Sequence, residues 1–247
     1  PTQRTLLSDA DMVVVEGRLE ADSPLVVELD SSGHGLEDLS PSLLAATVAV
    51  VGERRPTGKV PPGGIPWFST SQLDALTEHL LDVQDSRLRK RPLWGLFLAS
   101  QIPADADSVQ VQRYLSDTCS RVFVAASDPA AWSGSVFEPA PDLHPGLSDL
   151  GRVLSCLEAF PQAAFLVASD RSPTLPEALV QRRNPYRAAT TFSEPDTHLP
   201  QRFPSIWEPK ARMRIHQALA ADIRCPQRIL THSRIQLLEP SGAPIDH

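Results

Sequence analysis

From Leu93 onward apolar runs alternate with amphipathic ones, and this alternation constrains the fold more than any other feature of the chain. Residues 93–99 (LWGLFLA), 121–126, 163–168 and 188–192 are short and apolar without a polar face. A strand of that kind is covered above and below, as in a parallel sheet. Residues 108–119, 147–160, 175–182 and 210–223 are the expected helices between and after them. The clearest, 147–160, places Leu150, Val153, Leu154 and Leu157 on one face at helical spacing. The pattern predicts an α/β domain with a mostly parallel sheet, helices on both faces and residues 93–99 at its centre. Ligands in such sheets lie beyond the C-terminal ends of the strands, here after Ala99, Ala126 and Ala168.

Ahead of this region, residues 12–15, 25–29 and 46–51 are Val-rich runs that read as buried strands. Residues 65–68 and a helix opening at Ser71 follow, with Leu73, Leu76, Leu80 and Val83 at helical spacing. The stretch 53–64 (ERRPTGKVPPGG) is too rich in Pro and Gly for a helix or a central strand. The polar run 85–92 (DSRLRKRP) reads as a second connection. The expected organisation is a small α/β unit over 1–84, a linker over 85–91 and a larger domain over 92–247.

The composition is that of a globular chain: 247 residues, 41% hydrophobic and only 6% aromatic, so the core must come mainly from Leu, Val, Ile and Ala. No apolar run approaches the roughly 18–20 residues of a membrane span. The opening PTQRTLLSDAD lacks the basic start and apolar stretch of a signal peptide. Cys119, Cys156 and Cys225 are unpaired in spacing, which predicts reduced thiols and a cytoplasmic setting.

Charge is unevenly spread. Residues 1–180 carry 13 Lys and Arg against 24 Asp and Glu, whereas residues 181–235 carry 10 against 4. The basic segment points to an anionic ligand or an acidic partner, or else to a solvated helix face with scattered Arg. It lacks interleaved aromatics, which argues against nucleic acid. There is no G-x-S-x-G elbow and no H-E-x-x-H, and the seven His have no ligand spacing.

Three segments carry a resemblance to a known family. They are 163–176 (AAFLVASDRSPTLP), 183–209 (RNPYRAATTFSEPDTHLPQRFPSIWEP, ending in an I-W-E-P signature) and 225–238 (CPQRILTHSRIQLL). In this order they resemble the molybdenum cofactor guanylyltransferases, from Leu93 onward. The resemblance implies a Rossmann-like nucleotidyltransferase domain. It places Asp170 at the position of the family's Mg²⁺-binding carboxylate. The basic segment within this region makes Arg183, Arg187 and Arg202, with Arg182 nearby, candidates for holding the phosphate of a pterin. Residues 11–17 (DMVVVEG) and 24–30 are similar to the back half of the P-loop adaptor proteins that accompany these transferases. No G-x-x-x-x-G-K-[ST] precedes them, so the phosphate-binding half of such a domain is absent.

The departures from the family bear on activity. Guanylyl transfer demands that a triphosphate be held and neutralised. The family supplies a Gly-rich loop carrying Arg and Lys after its first strand. Here the strand ends in LFLAS and is followed by QIPADAD, with no Gly, Lys or Arg but with Asp105 and Asp107. The role left to those two is capping the next helix. The family's glycine turn is reduced to 146–152 (GLSDLGR), and its closing N-x-N-T-P does not occur before His247. No residue is therefore assigned a catalytic role, and Asp170 reads as a vestigial Mg²⁺ ligand or a loop aspartate.

Three functions follow. The first is a non-catalytic binding or assembly subunit in molybdenum cofactor maturation, with molybdopterin as ligand. Its protein partner would be an active guanylyltransferase or a molybdoenzyme maturation factor. The second is an active GTP-dependent nucleotidyltransferase using Mg²⁺. The third is a structural α/β interaction module with no small ligand. One fold hosts many functions, so the fold does not choose among them.

Overall fold

The computed structural model describes residues 25–29, 31–34, 36, 39–56, 64–99, 106–126, 128, 132, 135–170, 172 and 177–239. The described residues divide into two compact units, a smaller one ending at Lys90 and a larger one beginning at Arg91.

In the smaller unit β1 (Leu25–Glu28), β2 (Thr47–Val51) and β3 (Trp67–Phe68) form a parallel sheet in that order. Val27, Leu29, Leu36 and Val50 make its core. A short helix, α1 (Pro41–Ala46), runs straight into β2 and is capped by Ser40, whose hydroxyl accepts from the Leu43 amide. Helix α2 (Leu73–Arg89) follows β3. Ser71 is not its cap: the helix opens after Gln72, and the Ser71 hydroxyl bonds that of Ser69. Most of the expected linker 85–91 is also helical. Asp85–Arg89 is an i,i+4 ion pair, and no Pro interrupts the helix before Pro92. The strand expected at 12–15 lies outside the described residues.

Among the described residues the larger unit is built on seven strands: β4 (Leu93–Ala99), β5 (Val122–Ala126), β6 (Glu138–Pro139), β7 (Ala164–Ser169), β8 (Ala189–Ser193), β9 (Pro200–Trp207) and β10 (Gln236–Leu238). Their order is β10-β8-β9-β7-β4-β5-β6. All neighbours are parallel except β9, which is antiparallel to both β7 and β8. This is the expected α/β architecture with a mostly parallel sheet. β4 is paired on both sides, and Leu96 and Phe97, on opposite faces, are both fully buried.

Alternate residues of β4 face different helices. Trp94, Leu96 and Leu98 pack with α4 (Ser148–Ala159), α6 (Ala211–Ala220) and α7 (Pro226–Thr231) through Leu154, Leu157, Ile215 and Leu230. Phe97 and Ala99 pack with α3 (Ala106–Thr118) and α5 (Glu177–Gln181) through Val111, Leu115 and Leu179. Each such large apolar side chain contributes about 1.5–3 kcal/mol on full burial. The capping role expected of Asp105 or Asp107 falls outside the described side chains.

Strand β9 was not legible from its sequence. PQRFPSIW contains two Pro, which a central strand ordinarily excludes. The ladder accommodates them through a bulge. Thr191 pairs with Ser205 and Ser193 with Pro200, so Pro204 lies in the unpaired stretch and needs no amide hydrogen.

At the opposite end of β9 stands Glu208, a carboxylate with no exposed surface. Arg183 donates to it from Nε (2.6 Å) and Nη2 (3.1 Å), and Arg91 Nη1 lies 3.6 Å from it. Arg183 Nη1 also donates to the Arg91 carbonyl at 3.1 Å. Three chain segments are tied together by one buried charge. Removing that charge leaves two guanidiniums uncompensated, a loss of about 3–5 kcal/mol. Glu208→Ala should therefore lower the unfolding free energy by that amount, read by urea titration followed by circular dichroism; a change within about 0.5 kcal/mol would contradict the role given to this network.

Candidate functional site

The helices α3 and α4 leave β4 and β6 for opposite faces of the sheet, so the chain order reverses at β4. A crevice must open at such a point beyond the strand ends. One does: a cleft of about 630 Å³ bordered by Leu98 and Ala99 of β4, Ala125 and Ala126 of β5, and Ser169 at the end of β7. These are the strand ends named from the sequence.

Each wall has a local cause. The turn after β7 is closed by serines: the Ser169 amide donates to the Ser172 hydroxyl at 2.9 Å, and the Ser172 amide to the Ser169 carbonyl at 3.0 Å. Asp170 follows in that turn, its amide directed at the Leu98 carbonyl at 3.4 Å, and it lines the cleft. A second wall is the first turn of α4, with Ser148, Asp149 and Arg152. Ser148 holds a φ of +48°, a conformation that costs a residue with a Cβ about 1–3 kcal/mol. The third wall is the β8–β9 hairpin. Glu194 there accepts from the Thr197 hydroxyl and the Gln227 amide, both at 2.8 Å, and Arg202 stands exposed with Phe203 beside it.

The electrostatics are mixed. Among the described residues three carboxylates (Asp149, Asp170, Glu194) and two guanidiniums (Arg152, Arg202) line the cleft. Arg152 is already paired with Asp142 at 2.6 Å. Among the described residues no group of three or more His, Cys, Asp or Glu could hold a metal ion. Asp170 thus falls where a ligand-bound divalent ion could be reached, but the donor set does not fit a resident metal. Mg²⁺ would depend on oxygen atoms brought by the ligand itself.

The three arginines proposed from the sequence are not brought together. Arg202 is at the cleft. Arg183 is at the other end of the sheet, its guanidinium engaged with Glu208, so it serves the fold and not a ligand. Arg187 precedes β8 at that same end, its amide bonded to the Asn184 carbonyl. The reason is topological: β8 carries the chain across the sheet between Arg187 and the hairpin, about 17 Å for five residues. Arg152, which does line the cleft, was missed; as one Arg in an amphipathic helix it gave no signal.

The cysteines lie away from this chemistry. Burial pushes the Cys119 and Cys156 thiols up to about 12, while Cys225 is partly exposed. At pH 8 only about one in ten thousand of the buried thiols would be thiolate. A disulfide-exchange reagent should titrate one thiol rapidly in the native protein and three after denaturation. Three native thiols reacting at one rate would overturn this placement.

Fold and cleft together define an α/β domain with a polar crevice at the carboxyl ends of its parallel strands. Among solved structures the chain is similar to molybdopterin-guanine dinucleotide biosynthesis protein A from Archaeoglobus fulgidus, at 12% identity over 60% of this chain and 84% of that one, with a TM-score of 0.46. It is also similar to a putative protein from Aquifex aeolicus VF5, at 10% identity over 60% and 86%, with a TM-score of 0.45. Neither likeness assigns a role to a residue of the cleft. No family model and no curated protein matches the chain. Among the described residues no helix is long and apolar enough to cross a membrane.

Proposed function

We propose that the larger unit is a non-catalytic binding or assembly subunit of molybdenum cofactor maturation, whose cleft accepts a pterin monophosphate and not a nucleoside triphosphate. The observation that carries this reading is the charge of the cleft. Each charge-assisted contact to a phosphate is worth about 1.5–3 kcal/mol, and micromolar binding totals about 8 kcal/mol. A triphosphate therefore needs three to five such contacts. Among the described residues the cleft offers Arg202, an Arg152 already paired with Asp142, and three carboxylates that repel phosphate. The neighbouring sequence 101–107 adds Asp105 and Asp107 and no Gly, Lys or Arg. A single phosphate asks less, and Phe203 next to Arg202 supplies a flat apolar surface for a heterocycle.

The resemblance of the three sequence segments to the guanylyltransferases supplies the pathway, and the departures supply the loss of transfer. A protein partner that keeps the activity, such as an active guanylyltransferase or a maturation factor, would complete the assembly.

Thermal unfolding with each ligand separates the readings, because a ligand that binds only the folded state raises the melting temperature. Molybdopterin under anaerobic conditions should raise it, by a stabilisation of about 2.7 kcal/mol at a hundred times Kd. GTP·Mg²⁺ at 1 mM should not. Arg202→Ala should abolish the molybdopterin shift while leaving the stability of the unliganded protein within about 0.5 kcal/mol, since its side chain is exposed. Saturable stabilisation by GTP·Mg²⁺ would restore the enzyme reading, and no response to either ligand would favour the interaction module.

A further inference from the structure

The segment that carries the chain from β6 to α4 is fastened to that helix along its length. The Leu143 amide donates to the Ser155 hydroxyl at 2.9 Å, and Asp142 pairs with Arg152. The His144 carbonyl lies so close to Gly151 that a Cβ there would stand 2.4 Å from it, so only glycine admits the contact. His144 Nε2 then meets Glu158 Oε2 at 2.7 Å, and His216 Nε2, from α6, meets the other oxygen at 2.8 Å. One carboxylate on α4 thus gathers two imidazoles, one from the connecting segment and one from a neighbouring helix.

We propose that His144, Glu158 and His216 form a pH-responsive clamp, which grips the segment 142–147 in mildly acidic solution and loosens it in alkaline solution. Neutral imidazoles can each donate one N–H to the carboxylate, and protonation converts these hydrogen bonds into ion pairs. Imidazole changes charge between about pH 5 and 8. The two rings lie 6.4 Å apart over one negative charge.

Neighbouring charges do not take over the clamp. Asp142 and Arg152 bind each other, Arg214 of α6 bonds Gln217, Lys210 bonds the Tyr186 carbonyl, and Asp149 faces the cleft. Arg212 is the further cation on α6, and β7, packed beneath α4, carries no ionisable residue. Burial pushes the Glu158 carboxyl up, but the hydrogen bonds and charges of His144 and His216 outweigh it and hold the group below its usual range. A depressed carboxyl contributes stability above its unfolded value, 4.5, and loses it as pH falls through the folded value. The contribution of Glu158 to the clamp is therefore lost as the solution is acidified through that lower limit.

The clamp is independent of what the cleft binds, although α4 lends its first turn to that cleft. Its test is amide hydrogen exchange of the full chain at pH 5.5 and 8.0, corrected for the intrinsic rates, with peptides covering 140–150. Protection there should be about threefold greater at pH 5.5, the size expected of partly exposed ion pairs. Glu158→Gln should erase the difference, and His216→Asn, at a side chain 43% exposed, should reduce it without unfolding the protein. Equal protection at both pH values, or a difference that survives in His216→Asn unchanged, would overturn the proposal.

Discussion

A carboxylate removed from water must be compensated by charge or lose its proton, and Glu208 is compensated from two sides. Arg183 approaches with a fork matched to the two oxygens, and Arg91 supplies a second cation. The three residues come from the start of β4, the turn before β8 and the end of β9. The adjoining Glu208 amide donates to the Ala188 carbonyl at 2.9 Å, so the same corner closes the β8–β9 ladder. With that end fixed, β9 runs antiparallel between β7 and β8, and its other end delivers Arg202 and Phe203 to the cleft.

The same constraint explains why a basic segment does not make a basic site. Of the arginines concentrated beyond residue 180, Arg183 neutralises an internal acid and Arg187 stays at that end of the sheet. Only the reversal of direction at the hairpin brings one cation, Arg202, to the carboxyl ends of the parallel strands. There it meets Asp149, Asp170 and Glu194. The cleft has the position of an α/β ligand site, and among the described residues it carries three carboxylates against two guanidiniums.

Much of the architecture was legible because apolar period and length specify covered strands directly. β4, β7 and α4 fall within a residue or two of the runs that predicted them, and the strand ends that border the cleft were named in advance. β9 was hidden by its prolines, whose tolerance depends on a bulge that only the partner strand creates. The polar run 85–92 suggested a linker, yet Arg, Leu and Lys are good helix formers and α2 continues through to Arg89. The site was half legible: Asp170 and Arg202 reach the cleft, whereas the grouping of Arg183 with them followed charge along the chain and ignored which end of a strand each residue occupies. The Glu158 clamp left no trace in sequence, since His144, Glu158 and His216 are far apart until three elements pack.

The function proposed for the larger unit rests on a cleft that does not hold a nucleoside triphosphate. The direct measurement is incorporation of label from α-phosphate-labelled GTP into a dinucleotide, with Mg²⁺ and molybdopterin present and the whole chain as catalyst. No product above the protein-free control is expected. Labelled molybdopterin guanine dinucleotide that forms with the native chain and disappears with Asp170→Ala would contradict it.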